Sequence, residues 1–116
     1  MLTAAMLGII EKIGLDIMIL TDEVDADEFF ASRVTRARTL QLMRSLVLTV
    51  SNLPAGTRER LPQIDWDAWA ALKIVLANPS QHKFQIWVAI RELTPLTVQQ
   101  LKSYKKIQPQ LFSMVL

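Results

Sequence analysis

The sequence predicts an all-α protein, an up-and-down bundle of about five to six helices. Three observations carry this. The apolar residues recur with helical spacing along nearly the whole chain, with no convincing strand alternation, although Leu46 to Val50 is β-prone in isolation. Glycine and proline are scarce, at 3 and 5 of 116 residues, too few to turn every corner of a sandwich or barrel. Helix-start signals stand where apolar-periodic stretches begin, and prolines stand where they end. The length fits one domain, 1–116, and an apolar fraction of 51% argues against disorder.

The elements follow in order. A first helix is expected over about 2–20. It is strongly apolar, yet Glu11, Lys12 and Asp16 interrupt it, and a charge at the centre of a spanning helix costs about 2.5–3.5 kcal/mol. The segment therefore reads as a helix covered on most sides rather than a membrane span. No basic n-region precedes it, so no export signal is read and a cytoplasmic location is expected. Asp25 and Glu28 then have capping-box spacing and Val24 and Phe29 staple spacing, which starts a short helix over about 26–31. Ser32 caps a long helix over about 33–52, with Val34, Leu40, Met43, Leu46, Val47, Val50 and Leu53 on its apolar side, and Pro54 stops it. The stretch 53–62 is a loop or single turn. Asp65 caps a fourth helix, with Ile64 and Trp69 at staple spacing and Trp66 and Trp69 one turn apart as core or interface anchors. It runs to about Asn78, before Pro79. After a joint at 80–83, a further helix over about 83–92 carries Phe84, Ile86, Trp87 and Ile90. Thr94-Pro95 has the form of an N-cap and first helical residue, starting a last helix to about Lys106 or kinking the previous one. An apolar tail, 109–116, ends the chain.

Composition excludes several chemistries. There is no cysteine, and His82 is the only histidine, so disulfides, thiol catalysis and multi-histidine metal sites are absent. The acidic stretch 22–28 lacks the glycine and terminal glutamate of a calcium loop. No phosphate-binding loop, dinucleotide fingerprint or nucleophile elbow occurs. No metal and no cofactor are expected. The charge is uneven: residues 1–28 hold seven acids and one base, and residues 29–116 hold twelve bases and four acids. Solvated helix faces account for this. Alternatively, the basic part meets RNA or an acidic partner.

The run Leu53-Pro54, then Arg58-Glu59-Arg60-Leu61-Pro62-Gln63-Ile64-Asp65-Trp66, resembles the middle of the HepT-like branch of the HEPN domain family. The layout of helices around it, over roughly residues 4–106, fits too. The resemblance implies an up-and-down bundle, usually homodimeric. In typical members it also implies a metal-independent ribonuclease toxin neutralised by a minimal nucleotidyltransferase antitoxin. The family's active motif is an arginine, a histidine four to six residues on, and a tyrosine two beyond that. On this chain those positions fall at Lys73, Asn78 and Ser80, with the arginine's usual asparagine neighbour at Ile74. A glycine-glutamate pair on the long helix falls near Val47 and Leu48. Every catalytic position departs.

Metal-free RNA cleavage needs a group that exchanges a proton near neutral pH and a cation that steadies phosphate. Lys73 still offers charge, as a point rather than a fork, but Asn78 cannot titrate. The resulting expectation is a catalytically inactive bundle acting through protein contacts, with a homodimer and a nucleotidyltransferase-type protein as partners. The first or third helix, the tail, or both are expected at the dimer interface. One rival is a ribonuclease with a relocated site using His82, which otherwise reads as a surface histidine, with Lys73 and nearby bases. Another is an RNA-binding module using Arg33, Arg36, Arg44, Lys102, Lys105 and Lys106, though no aromatic residues interleave them.

Overall fold

The computed structural model describes residues 2–113. It is all-α, with no strand among the described residues. In chain order the helices are α1 (Leu2–Thr21), α2 (Ala26–Ala31), α3 (Arg33–Asn52), α4 (Ala55–Glu59), α5 (Trp66–Ala77), α6 (Lys83–Val88) and α7 (Thr94–Ile107). Two 3-10 turns, Pro79–Gln81 and Pro109–Leu111, flank the last long segment, and a π segment, Ala89–Leu93, joins α6 to α7.

Four long rods form a closed ring. α1 packs on α3 and α7, and α5 packs on α3 and α6. Neighbours run antiparallel. Leu20 of α1 shares a surface hollow with Arg38 of α3, and Arg44 of α3 reaches Leu76 near the end of α5. Trp69 near the start of α5 bonds Thr97 of α7, and Glu11 of α1 pairs with Lys105 near the end of α7. The ring is the expected up-and-down bundle.

The core is one cluster that includes Leu7, Ile10 and Ile17 from α1, Met43, Leu46 and Val50 from α3, Trp69 and Leu72 from α5, Ile86 and Ile90, and Leu101 from α7. α1 crosses α7 closely at Gly14, where an added Cβ would lie 2.6 Å from a Val98 methyl. No helix of the described chain is long and apolar enough to cross a membrane.

The local signals act as their chemistry requires. Asp25 accepts from Glu28 N at 2.8 Å while Glu28 accepts from Asp25 N, and Phe29 of the staple is buried beside a half-buried Val24. Ser32 and Asp65 cap α3 and α5 through Thr35 N and Ala68 N. Ile64 and Trp69 are both buried.

Three expectations change, and of the two alternatives at Thr94-Pro95 the structure takes the continued helix. Thr94 is not an N-cap. Its backbone is helical, with φ −65° and ψ −52°, and the rod continues from Lys83 to Ile107. Pro95 has no N–H, and its ring would press on the carbonyl four residues back in a regular helix. The π segment widens that turn, and both the N–H and hydroxyl of Thr94 donate to Ala89 O. Val34 stands 80% exposed, because the first turn of α3 overhangs the core. Phe84 stands 76% exposed at the start of α6, so it too leaves the apolar side assigned to it. α1 is only partly covered, since Leu2, Ile9, Ile19 and Leu20 face outward. In the tail, Leu111 and Phe112 pack half-buried against the chain's own core, and residues 114–116 lie outside the described ones.

Candidate functional site

The residues expected to mark a vestigial centre do not converge. Lys73 lines a groove between α3 and α5, of about 480 Å³, with Arg44, Val47, Leu48, Ser51, Asn52, Leu76 and Ala77. Asn78 is the C-cap of α5, exposed, with its backbone N–H donating to Val75 O. Ser80 lines a different hollow with Phe30, Arg36, Leu40, Pro79 and Lys83. His82 is half-buried at the start of α6 rather than fully on the surface. Its N–H donates to Pro79 O and its carbonyl accepts from Ile86 N. It lines neither hollow with Lys73 or Ser80.

The basic residues also separate. Arg36 donates to Phe30 O, holding the corner where α2 enters α3. Arg44 donates to Leu76 O at 3.2 Å, a cation at the negative end of α5. Arg33 is exposed at the first turn of α3. Lys105 pairs with Glu11 at 3.1 Å, while Lys102 and Lys106 are exposed on α7. α3 and α7 stand across the ring from each other, so the arginines and lysines occupy opposite sides and form no common stripe. The acidic stretch at 22–28 serves to cap α2. Among the described residues, no group of three or more acids and histidine is placed to hold a metal ion.

What the structure does bring together lies around α5. Its outer side shows Ala70, Ala71, Ile74 and Ala77, all exposed, with Ile74 at 75%. On the α3 side stands Leu48, 64% exposed. On the other side a second groove, of about 430 Å³, runs between α5 and the α6–α7 rod. It is walled by Ala68, Leu72 and Val75 on α5 and by Phe84, Val88 and Leu96 opposite. The row Phe84, Val88, Glu92 and Leu96 steps by four residues, which in a regular helix drifts about 40° per step. The π segment winds more slowly and keeps the row facing α5. The charges on the two flanks differ in sign. Arg44 and Lys73 line the α3 groove and no carboxylate does; Asp65 and Glu92 line the α6–α7 groove and no cation does.

Sequence reasoning placed Lys73 and Arg44 as separate candidates and passed over Leu48, Ile74, Phe84 and Glu92 as a group. Their only sequence signal is that α5 has little charge on any side, carrying Asp67 and Lys73 alone. Comparison with protein-family models, with curated proteins and with solved structures finds no match.

Proposed function

We propose that this chain is a non-catalytic helical protein that acts by protein–protein contact through its α5 side. The observation that carries the reading is the exposed apolar surface formed by Leu48, Ile74, Phe84 and Leu96 on three neighbouring rods. Apolar patches of this kind mark interaction sites on soluble bundles. The resemblance to the HepT-like family supports the same reading from the other direction. With Lys73, Asn78 and Ser80 in place of arginine, histidine and tyrosine, and with Lys73 and Ser80 in separate hollows, the chain keeps a scaffold and lacks the proton-exchanging group that cleavage needs. The partners we propose are a second copy and, in a toxin–antitoxin type setting, a nucleotidyltransferase-type protein.

The test has two parts. Purified protein incubated with RNA in EDTA is expected to leave the RNA intact. Cleavage that co-purifies with the chain and disappears on His82→Ala overturns the non-catalytic reading in favour of a relocated site. Light scattering at micromolar concentration, alone and with a nucleotidyltransferase encoded next to it, is expected to show a species larger than the 13.2 kDa chain. A monomer under both conditions overturns the contact reading.

A further inference from the structure

The hollow beside Ser80, of about 330 Å³, lies where three segments meet. α2 gives Phe30, α3 gives Arg36 and Leu40, and the turn into α6 gives Pro79, Ser80 and Lys83. It shares no lining residue with either groove beside α5. Two cations and a hydroxyl line it, and among the described residues no carboxylate does. Asp25 and Glu28, the nearest acids in sequence that make a bond, close the capping box of α2 instead. The lining is held in place. Phe29 is fully buried and meets the Phe30 ring edge-on, with 5.0 Å between centroids. Arg36 is half-buried and donates through one nitrogen to Phe30 O, which leaves its other guanidinium N–H groups free of that bond. Lys83 Nζ stands over the same ring, 5.6 Å from its centroid. A concavity lined by one sign of charge and walled by apolar groups concentrates counter-ions.

The geometry points to a site for a small organic acid. Its oxyanion, a carboxylate or a phosphate monoester, lies between Arg36, Lys83 and the Ser80 hydroxyl, and its apolar body rests on Phe30, Leu40 and Pro79. The chemistry of the lining selects this class. An ionised acid only accepts hydrogen bonds, and the three polar side chains all donate; bonds between a cation and an oxyanion are the strong, short ones. Three of the six lining residues are apolar, so a ring or branched chain on the acid replaces water there at little cost. At about 30 Å³ per water the hollow holds about ten waters, or one ring with its acid group. A strand of nucleic acid is a poorer match, since it needs a basic groove that tracks several phosphates and the hollow offers two cations. A fixed ring and an anchored arginine lower the ordering cost of binding. The inference uses no residue of the α5 side, so it stands or falls apart from the contact reading.

Calorimetric titration of the full chain tests the site, with phenyl phosphate, phenylacetate, inorganic phosphate and benzylamine as probes. At least one of the two aromatic acids is expected to saturate a single site with a dissociation constant below about 1 mM. The phosphate ester binding at least about threefold more tightly assigns the site to phosphate monoesters, as its greater charge favours; phenylacetate binding as tightly or more so assigns it to carboxylates. Benzylamine, which carries the opposite charge, is expected not to bind. Inorganic phosphate is expected to bind at least about fivefold more weakly than phenyl phosphate, because it leaves Phe30, Leu40 and Pro79 uncovered. Lys83→Gln, at an exposed position, is expected to weaken the aromatic acid about fivefold or more, and Ser80→Ala about threefold. Arg36→Lys keeps the charge but not the fork and is expected to cost about tenfold. Circular dichroism checks that this half-buried position still folds; if it does not, Lys83→Gln and Ser80→Ala carry the test. Lys73→Gln, in the α3–α5 groove, is expected to leave affinity within about twofold. A loss with Lys73→Gln as large as with Lys83→Gln places the anion elsewhere and overturns the site. Equal binding of inorganic phosphate and the aromatic acids, or binding of benzylamine, overturns the ligand class. Failure of both aromatic acids to saturate by about 10 mM overturns the inference outright.

Discussion

From Trp66 to Leu72, α5 is tied to its surroundings by side-chain hydrogen bonds; from Lys73 to Asn78, the same helix is held by packing and a single backbone pin. In the first half, Asp65 caps the helix, and Trp66 Nε1 donates to the carbonyls of Arg58 and Leu61 at 3.2 and 3.0 Å. Trp69, fully buried, donates to the Thr97 hydroxyl. The loop before α5 is clasped as well. Tyr104 accepts from Gln63 N, Gln100 donates to Gln63 O, and Gln108 donates to Arg60 O. In the second half, Leu76 is buried and its carbonyl accepts from Arg44, but Lys73, Ile74, Ala77 and Asn78 face out. Of the residues on which the sequence resemblance rests, Leu53-Pro54 and Arg58 to Trp66, the second run thus sits in the tied part. It holds a loop against α7. The positions where the family's catalytic groups would fall sit in the open part, where a side chain can change without disturbing the core.

The contrast is sharpest at Trp69. Trp69→Ala is expected to cost about 3–5 kcal/mol, because it empties a fully buried site between α5 and α7 and strands the Thr97 hydroxyl. Chemical denaturation measures it. A loss below about 1 kcal/mol would mean that the first half is no better anchored than the second. Asp65→Ala is expected to cost about 1 kcal/mol, since Ala68 N loses its acceptor at the start of α5. Asp65→Ser should recover most of that. Tyr104→Phe removes only the oxygen that accepts from Gln63 N, and is expected to cost about 0.5–1.5 kcal/mol. Amide exchange at Gln63 should quicken at the same time. If Gln63 N–H stays protected, Gln100 and Gln108 hold the clasp without the tyrosine.

How much of the fold is legible in the sequence depends on the range of the interaction. The caps at Asp25, Ser32 and Asp65 and the staples at Phe29 and Trp69 involve residues within five positions of each other, and the residue types and their spacing suffice to read each one. Thr94-Pro95 carries a local signal too, but two outcomes share it, a helix start and a proline accommodated by a wide turn. Packing of the rod against α1 at Gly14, where Thr94 and Val98 both approach, selects the second. Val34 and Phe84 obey the apolar period yet lie beyond the neighbouring rods, and periodicity does not reveal where a partner helix ends. The grooves beside α5 are not legible. Each joins residues from rods far apart in sequence, such as Arg44 with Lys73 and Asp65 with Glu92, and only the antiparallel register brings them together.

The smallest effects are expected in the open half and its joint. Asn78 ends α5 with its backbone N–H bonded to Val75 O, a bond that any non-proline residue supplies. Its φ of −142° and ψ of 64° lie at negative φ, so no glycine-like freedom is required. Ser80 is exposed in the 3-10 turn, beside a hollow wide enough for a larger side chain, at about 330 Å³. Asn78→Ala and Ser80→Ala should each change stability by no more than about 0.5 kcal/mol. The same limit should hold for Asn78→His and Ser80→Tyr, which place the family's residue types at these positions. Both positions would then hold a histidine or a tyrosine as readily as the residues they carry. A cost above about 1.5 kcal/mol for Asn78→His would show the opposite: that the end of α5 depends on the asparagine, and that the two halves of the helix are equally constrained.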